Sequence, residues 1–250
     1  MTKRLGRQLV VVDECTSTFD IAEQFALSGA PNGLTVIATR QLHGRGRFGR
    51  NWLSPPGGLW MTVVLRNPHL SSFVGGISLL GALSVALAIN RMFEIRSLVR
   101  WPNDVVIRSD KVGGILVESK FEGNEHLYSL LGIGLNVNFQ PSVIRSANQK
   151  STTLLCELNH LVDISVLAAA TLKQIEDIFD LAAQNRISDT LELLRATDYS
   201  IGRKVKVTIP SRTVEGIFHE YLSLTQAEIE TNGEYVIVET GTAIVVEYLL

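Results

Sequence analysis

The run Gly44-Arg45-Gly46-Arg47-Phe48-Gly49-Arg50 leads directly into Asn51-Trp52-Leu53-Ser54-Pro55-Pro56-Gly57-Gly58, and this juncture restricts the fold more than any other stretch of the chain. Gly44, Gly46 and Gly49 satisfy the GxGxxG spacing of a dinucleotide site, and Gly33–Gln41 before them reads as a strand. That fingerprint requires a helix to begin inside it, so that the helix N-terminus receives the pyrophosphate. Two prolines followed by two glycines cannot continue a helix. No acidic residue closes a strand about twenty residues later, where a ribose contact belongs. The doubly wound dinucleotide fold is therefore set aside. Glycine still lets backbone approach a ligand closely, and arginine is permanently charged and forked, so the segment asks for an anion. An RG-type nucleic-acid contact and a solvated basic turn compete with a phosphate-clamping loop. Nucleic-acid binding normally comes with a basic domain. Here 23 Lys+Arg stand against 25 Asp+Glu, a net charge of −2. The enzyme loop carries the most weight.

A chain of 250 residues with 46% hydrophobic and 19% charged residues is folded rather than disordered, and is long enough for a large core plus a small satellite. Cys15 and Cys156 lack metal-like spacing, and the apolar run Leu9–Val12 is too short for a secretory signal. These features predict a cytoplasmic protein. No charge falls between Arg66 and Arg91, an interval long enough to span a membrane. It opens with Pro68 and carries four serines, and its helical part, Gly75–Phe93, is apolar nearly all round. That is the pattern of a buried core helix, so no membrane segment is expected.

Strands are predicted at Val10–Glu14, Leu34–Thr39, Leu59–Leu65 and Leu98–Arg100. Val105–Ile107 and Val112–Glu118 form a hairpin around Arg108–Lys111, and Leu127–Asn138 reads as a doubly buried central strand. Thr16-Ser17-Thr18 precedes a helix that presents Phe19, Ala22, Phe25 and Ala26 on one face and closes at Gly29. Asp163 or Ser165 caps a long helix reaching about Gln184, and Ser188–Thr197 continues as another. After Tyr199 the pattern becomes all-β: Lys204–Ile209, Thr213–Tyr221, Glu228–Thr231, Tyr235–Glu239 and Ala243–Glu247, with a hairpin signal at Asn232-Gly233. The expected organisation is an α+β body at residues 1–198 and a small β-barrel-like module at 199–250. Leu59–Leu65 is a candidate edge for pairing with a second copy, hence a possible homodimer.

Several segments acquire meaning together. They are the Thr-Ser-Thr opening, Q-x-x-G-R-G-R-x-G-R at 41–50, G-G-L-W at 57–60, W-P-N-D at 101–104, K-x-G-G-I-L-V-E at 111–118 and G-I-G-L-N-V-N at 132–138. In this order and at these intervals the set resembles the biotin–protein ligases nearly end to end. The resemblance implies a class II aminoacyl-tRNA-synthetase-like mixed sheet flanked by helices, with an SH3-like C-terminal β-barrel. It also implies a two-step reaction in which biotin and ATP give biotinyl-5′-adenylate, and a carrier-protein lysine then takes the biotinyl group. ATP, Mg²⁺ and biotin are the implied ligands. The implied partner is a biotin carboxyl carrier protein, such as the carrier domain of acetyl-CoA carboxylase.

Residue by residue, the resemblance assigns catalysis to Arg47 and Arg100. It assigns biotin contacts to Ser17, Thr18, Phe19, Gln41, Arg45, Gly46, Arg47, Trp52 and Arg100, with Gly113, Gly114, Gly132 and Gly134 leaving room for the apolar tail. Arg45, Arg47, Arg50, Arg100, Asn103, Lys111 and Asn136 fall to ATP. Asp104 is a candidate Mg²⁺ ligand, with a turn-stabilising role as its alternative, and Ser17 could equally be a helix N-cap. Two positions depart from the family pattern: Arg100 replaces the lysine usual before Trp-Pro-Asn-Asp, and Phe19 replaces the asparagine usual after Ser-Thr. These departures keep alive a catalytically weak biotin or biotinyl-adenylate binder; a related ligase for lipoate or octanoate is a third alternative, against which the loop and W-P-N-D pattern count. Only about fifteen residues precede Ser17, too few for the DNA-binding domain that some family members carry, so no DNA partner is expected.

Overall fold

A computed structural model of the chain describes residues 2–66, 68–144, 150–184 and 186–249. Its elements are β1 (Leu9–Cys15), α1 (Thr18–Leu27), β2 (Thr35–Arg45), β3 (Asn51–Ser54), β4 (Leu59–Leu65), α2 (Ile77–Met92), β5 (Ser97–Arg100), β6 (Asp104–Ile107), β7 (Asp110–Glu122) and β8 (Glu125–Leu135). They continue as α3 (Leu154–Leu158), α4 (Ile164–Ala183), α5 (Ile187–Ala196), β9 (Lys204–Ile209), β10 (Arg212–Tyr221), β11 (Gln226–Thr231), β12 (Glu234–Glu239) and β13 (Val245–Tyr248). The first eight strands form one mixed sheet in the order β1-β2-β4-β8-β7-β6-β5, with β3 folded back on β2.

Strand alternation divides this sheet between two helical layers. On one face Val36, Val64, Tyr128 and Leu130 pack with Phe19, Ala22 and Ala26 of α1. On the other, Met61, Val63, Leu131, Ile133 and Leu135 join the core built around α2. α2 lies between the sheet and α4, which explains its nearly all-round apolarity. The stretch Ser72–Met92 is long and apolar enough to cross a membrane, yet 72% of its 18-residue apolar window is buried within this fold. Local chemistry sets the helix starts. The Ser17 hydroxyl accepts from the Phe19 amide, and the Asp163 carboxylate accepts from the amides of Ser165 and Val166.

Two expectations need correction. Every residue of β4 is buried, because β2 and β8 pair with it on either side. It is an interior strand and offers no edge to a second copy. The edges are β1 and β5, and β5 is covered by residues 197–199, whose backbone bonds to Val99. The C-terminal strands form an antiparallel sheet in the order β12-β11-β10-β9-β13, an open path rather than a closed barrel. It packs on the body through Trp101, whose ring lies 5.5 Å from that of Phe218 and whose Nε1 donates to Thr240 Oγ1 at 3.2 Å.

Asp198 sits at the joint between the sheets, accepting hydrogen bonds from the Tyr221 hydroxyl and the Ile201 amide. Burial pushes its carboxyl up to about 6, although the Tyr221 hydroxyl and the backbone amides of Ile201, Ser200 and Tyr199 pull the other way. The folded state thus holds this proton to higher pH than the unfolded chain, and the sign of linkage follows. Stability falls as pH rises from about 4 to about 6, by at most about 3 kcal/mol, and then levels. Urea unfolding across that range should show this slope in the wild type and a flat profile in Asp198→Asn. An unchanged slope in the variant would assign it to other groups.

Candidate active site

The sheet opens a cleft of about 880 Å³ on the α1 side, beyond the end of that helix's packing. Its floor follows from the period of two along β8. Tyr128 and Leu130 meet α1, whereas Gly132 and Gly134, next on the same face, carry no side chains. Gly114 of β7 pairs with Gly134 and extends the floor. Two aromatic rings occupy the space so released. A Cβ on Gly132 would lie 2.1 Å from Phe19 Cε2, and one on Gly134 would lie 2.6 Å from Trp52 Nε1. Gly132→Ala should therefore force Phe19 off the floor, costing about 1–3 kcal/mol by overpacking. Phe19→Leu in the same chain should restore part of that loss in urea unfolding. Equal stabilities of wild type and Gly132→Ala would show that the ring has room to move.

Gln41 is the polar hub at one end. Its Oε1 accepts from the Thr18 amide at 2.8 Å, from Thr18 Oγ1 at 3.1 Å and from Ser17 Oγ at 3.4 Å. Its Nε2 donates to Ser54 Oγ at 2.8 Å, which fixes the amide's orientation. Thr18, Phe19 and Gln41 face the cleft, while Ser17, only 1% exposed, braces the hub from behind. Gly113 also lies off the cleft. Adjacent strand residues face opposite ways, and a Cβ there would meet Leu135 Cδ1 at 3.0 Å, in the core.

The glycine-arginine segment is the tip of the β2–β3 hairpin, closed by the Gly46 amide bonding to the Arg50 carbonyl at 2.7 Å. Arg45 pairs with Asp20 and with Glu118 and reaches across the Phe19 ring. Arg47 donates to Asn103 Oδ1 at 3.2 Å and to the Ala243 carbonyl at 2.7 Å, and Arg50 donates to the Ile244 carbonyl. Burial holds the Arg47 guanidinium below its ordinary value, against the attraction of Asp104. Across the cleft, Asp104 receives Lys111 Nζ at 2.6 Å and Arg100 Nη2 at 3.0 Å. Burial alone would raise this carboxyl, but Lys111 and Arg100 outweigh it and hold it low. Arg45, Arg47, Arg50, Arg100 and Lys111 all line the cavity, against the acidic Asp104 and Glu247. With Arg45 balanced by Asp20 and Glu118, the remaining cations still outnumber the acids, so the cleft is electropositive in a chain of net negative charge.

Asn136 closes the far end. It is 2% exposed, its Nδ2 donates to the Thr152 carbonyl at 3.1 Å, and its Oδ1 is buried without a partner among the described residues. Such an acceptor beside a cleft suits a ligand amino group. Asp104 offers little to a resident cation, because lysine and arginine already face its oxygens. Among the described residues, the group of His and carboxylates close enough to hold a metal is His219, Glu220 and Glu228, on the C-terminal sheet.

The sequence reading missed the wall formed by Ile244, Val246, Glu247 and Tyr248, which approach the cleft from the C-terminal sheet. No local spacing links residues about 100–200 positions apart. It also missed the backbone-lining Ile115 and Ile133, which the alternating glycines beside them would have indicated.

The architecture as a whole is that of the biotin protein ligases. A superposition on the biotin protein ligase of Aquifex aeolicus solved with biotin and ATP gives a TM-score of 0.83, with 25% identity over 97% of this chain and 100% of that one. Residues 11–136 match the biotin/lipoate A/B protein ligase family, and the chain belongs to that family. Among its relatives, the biotin–[acetyl-CoA-carboxylase] ligase of Mycobacterium tuberculosis is 28% identical over 245 residues, covering 95% of this chain and 89% of that protein. The bifunctional ligase/repressor BirA of Bacillus subtilis is 37% identical over 142 residues, covering 56% of this chain. The match spans 44% of the Bacillus protein, so the chain corresponds to about half the length of that relative.

Proposed function

We propose that the protein activates biotin with ATP and transfers it to a lysine of a biotin carboxyl carrier protein. The observation that carries this reading is the cleft itself: a glycine floor covered by the Phe19 and Trp52 rings, lined by the fixed polar hub at Gln41 and by Arg47, Arg50, Arg100 and Lys111. The hub at Thr18 and Gln41 matches a ureido ring, whose two N–H groups and one carbonyl need short polar partners in a dry pocket. The apolar tail packs against the Phe19 and Trp52 rings, which rest on Gly132, Gly134 and Gly114. The carboxylate then meets the cations.

In the first step a biotin carboxylate oxygen attacks the α-phosphorus of ATP. A new O–P bond forms, and the bond from that phosphorus to the pyrophosphate oxygen breaks. Two anions must meet, so the cations of the cleft offset their repulsion and the charge gathering on the transferring phosphoryl. Arg47, Arg100 and Lys111 are assigned to this work, with Arg45 and Arg50 at the hairpin. Mg²⁺ enters with ATP as the counter-ion of its phosphates. Asn136 Oδ1 is assigned to the nucleotide's amino group. In the second step the neutral lysine amine attacks the acyl carbon of the mixed anhydride. A C–N bond forms, the acyl C–O bond breaks, AMP leaves with the electron pair and the amine loses a proton. The hairpin over the cleft limits the access of water to the anhydride between the two steps.

We place the reaction in the reducing cytoplasm, in keeping with the unpaired Cys15 and Cys156. The test is incubation with ATP, Mg²⁺, biotin and an acetyl-CoA carboxylase carrier domain, read by mass spectrometry of the carrier, with lipoate and octanoate as competitors. Biotin should be the acid transferred. An unmodified carrier together with calorimetric biotin binding would instead identify a binding protein.

A further inference from the structure

Arg100 is the position where the chain departs from a lysine, and a planar guanidinium needs to be held in a plane as well as at a distance. Its Nη2 donates to Asp104 at 3.0 Å and its Nη1 donates to the Ser109 carbonyl at 3.3 Å. Its carbon also lies 5.8 Å from the centre of the Tyr248 ring. Arg100 is on β5 of the large sheet, whereas Tyr248 ends β13 of the C-terminal sheet. Both line the cleft.

The Tyr248 ring is itself fixed. Its hydroxyl donates to the Trp101 carbonyl at 2.9 Å. With that proton committed, Ser200 Oγ must donate to the Tyr248 oxygen, at 2.7 Å, and Ser200 in turn accepts from the Trp101 amide at 2.9 Å. The hydrogen bonds therefore close a ring that begins and ends at Trp101, the residue next to Arg100. Tyr199 packs against the Tyr248 ring at 5.5 Å and 64°. A tyrosine locked at its hydroxyl and its edge presents one fixed face, and an aromatic face attracts a guanidinium.

We propose that Tyr248 is a positioning residue for Arg100: the C-terminal sheet supplies the face that holds the guanidinium toward the phosphates. This inference rests on the adenylation reading above. The hydrogen bonds to Asp104 and Ser109 tether the guanidinium at two nitrogens, and the ring restricts the plane in which it lies. The site is incomplete without the last strand of the second sheet.

The experiment is a double-mutant cycle read by biotin-dependent ATP–pyrophosphate exchange. Tyr248→Leu should lower kcat/KM for ATP about 10-fold while biotin affinity stays within about 2-fold. Tyr248→Phe, which keeps the ring and its packing on Tyr199 but not the hydroxyl lock, should recover part of the loss. In an Arg100→Lys background the Leu substitution should cost under about 2-fold, because the planar partner is gone. Should Tyr248→Leu fail to fold, Tyr248→Met is the variant read. An equal cost in both backgrounds, or a Phe variant as impaired as Leu, overturns the proposal. A readout independent of activity separates this proposal from the function assigned above. The Arg100 side-chain ¹⁵N–¹H resonance should carry a ring-current shift that Tyr248→Leu abolishes, even if the wild type adenylates nothing. An unmoved resonance would overturn the positioning role on its own.

Discussion

Arg47→Ala is expected to slow biotinyl-adenylate formation by about 10²–10³-fold, the cost typical of removing one preorganised donor from a developing anion. Arg47 projects from the hairpin between Asn103 and the carbonyls of Thr240 and Ala243. These neutral acceptors orient the guanidinium without neutralising it, so its charge remains available to a phosphate. Arg45 differs, since Asp20 and Glu118 already balance it. Pyrophosphate exchange measures the first step, and carrier modification from preformed biotinyl-adenylate measures the second. Arg47→Ala should impair the first far more than the second. Arg47→Lys should recover only part of the rate, because an ammonium cannot reproduce the fork. If both steps fell equally, the arginine would be guarding the intermediate rather than forming it.

Asp104→Asn is expected to destabilise the fold by about 3–5 kcal/mol, the cost of stranding buried charge by removing its partner. The carboxylate lies between Lys111 at 2.6 Å and Arg100 at 3.0 Å, all three being at most 15% exposed. The amide would fit the same space and leave two cations side by side. Urea unfolding reads the loss directly. Because an anionic ligand replaces the missing counter-charge, ATP should stabilise the variant more than it stabilises the wild type. The pH dependence has a definite sign. The native carboxyl is held below its ordinary value, so the stability it contributes is present above about pH 4, the unfolded value, and is lost as pH falls through the native value. This acid-side loss should vanish in Asp104→Asn. Unchanged stability would mean that Lys111 and Arg100 find other partners at no cost.

Asp104 and Asp198 bear opposite signs for one physical reason. Asp104 is buried beside two cations, and attraction exceeds desolvation. Asp198 is flanked by a phenol and backbone amides, which carry no full charge, and desolvation wins. The native pH profile should therefore rise above the acid range as Asp104 ionises and then lose part of that gain by about pH 6.

The fold was legible wherever the pattern was local. The two-residue alternation of the strands, the caps at Ser17 and Asp163 and the Asn232-Gly233 turn all correspond to elements of the structure. The prolines after the glycine-arginine run exclude a helix there, and the chain does continue as a strand, β3. Strand order was not legible. β4 reads as an edge candidate or an interior strand with equal ease, since a continuous apolar run shows only that both faces are covered and says nothing about which backbones lie alongside.

The same division runs through the cleft. Sequence by itself determined which residues can make a bare floor, a polar hub and a cationic rim, because glycine, glutamine and arginine carry those properties wherever they fall. It also determined the family, through motifs whose order and intervals are a property of the chain. Tertiary structure alone decided orientation and company. Pleating turned Gly114 into the cleft and Gly113 into the core, and the hairpin register brought Trp52 over Gly134. Packing of the second sheet set Tyr248 against Arg100, more than a hundred residues away. Contacts between such distant residues come from burial of shared apolar surface around Trp101 and Phe218, a force without direction that leaves no spacing in the sequence to be read.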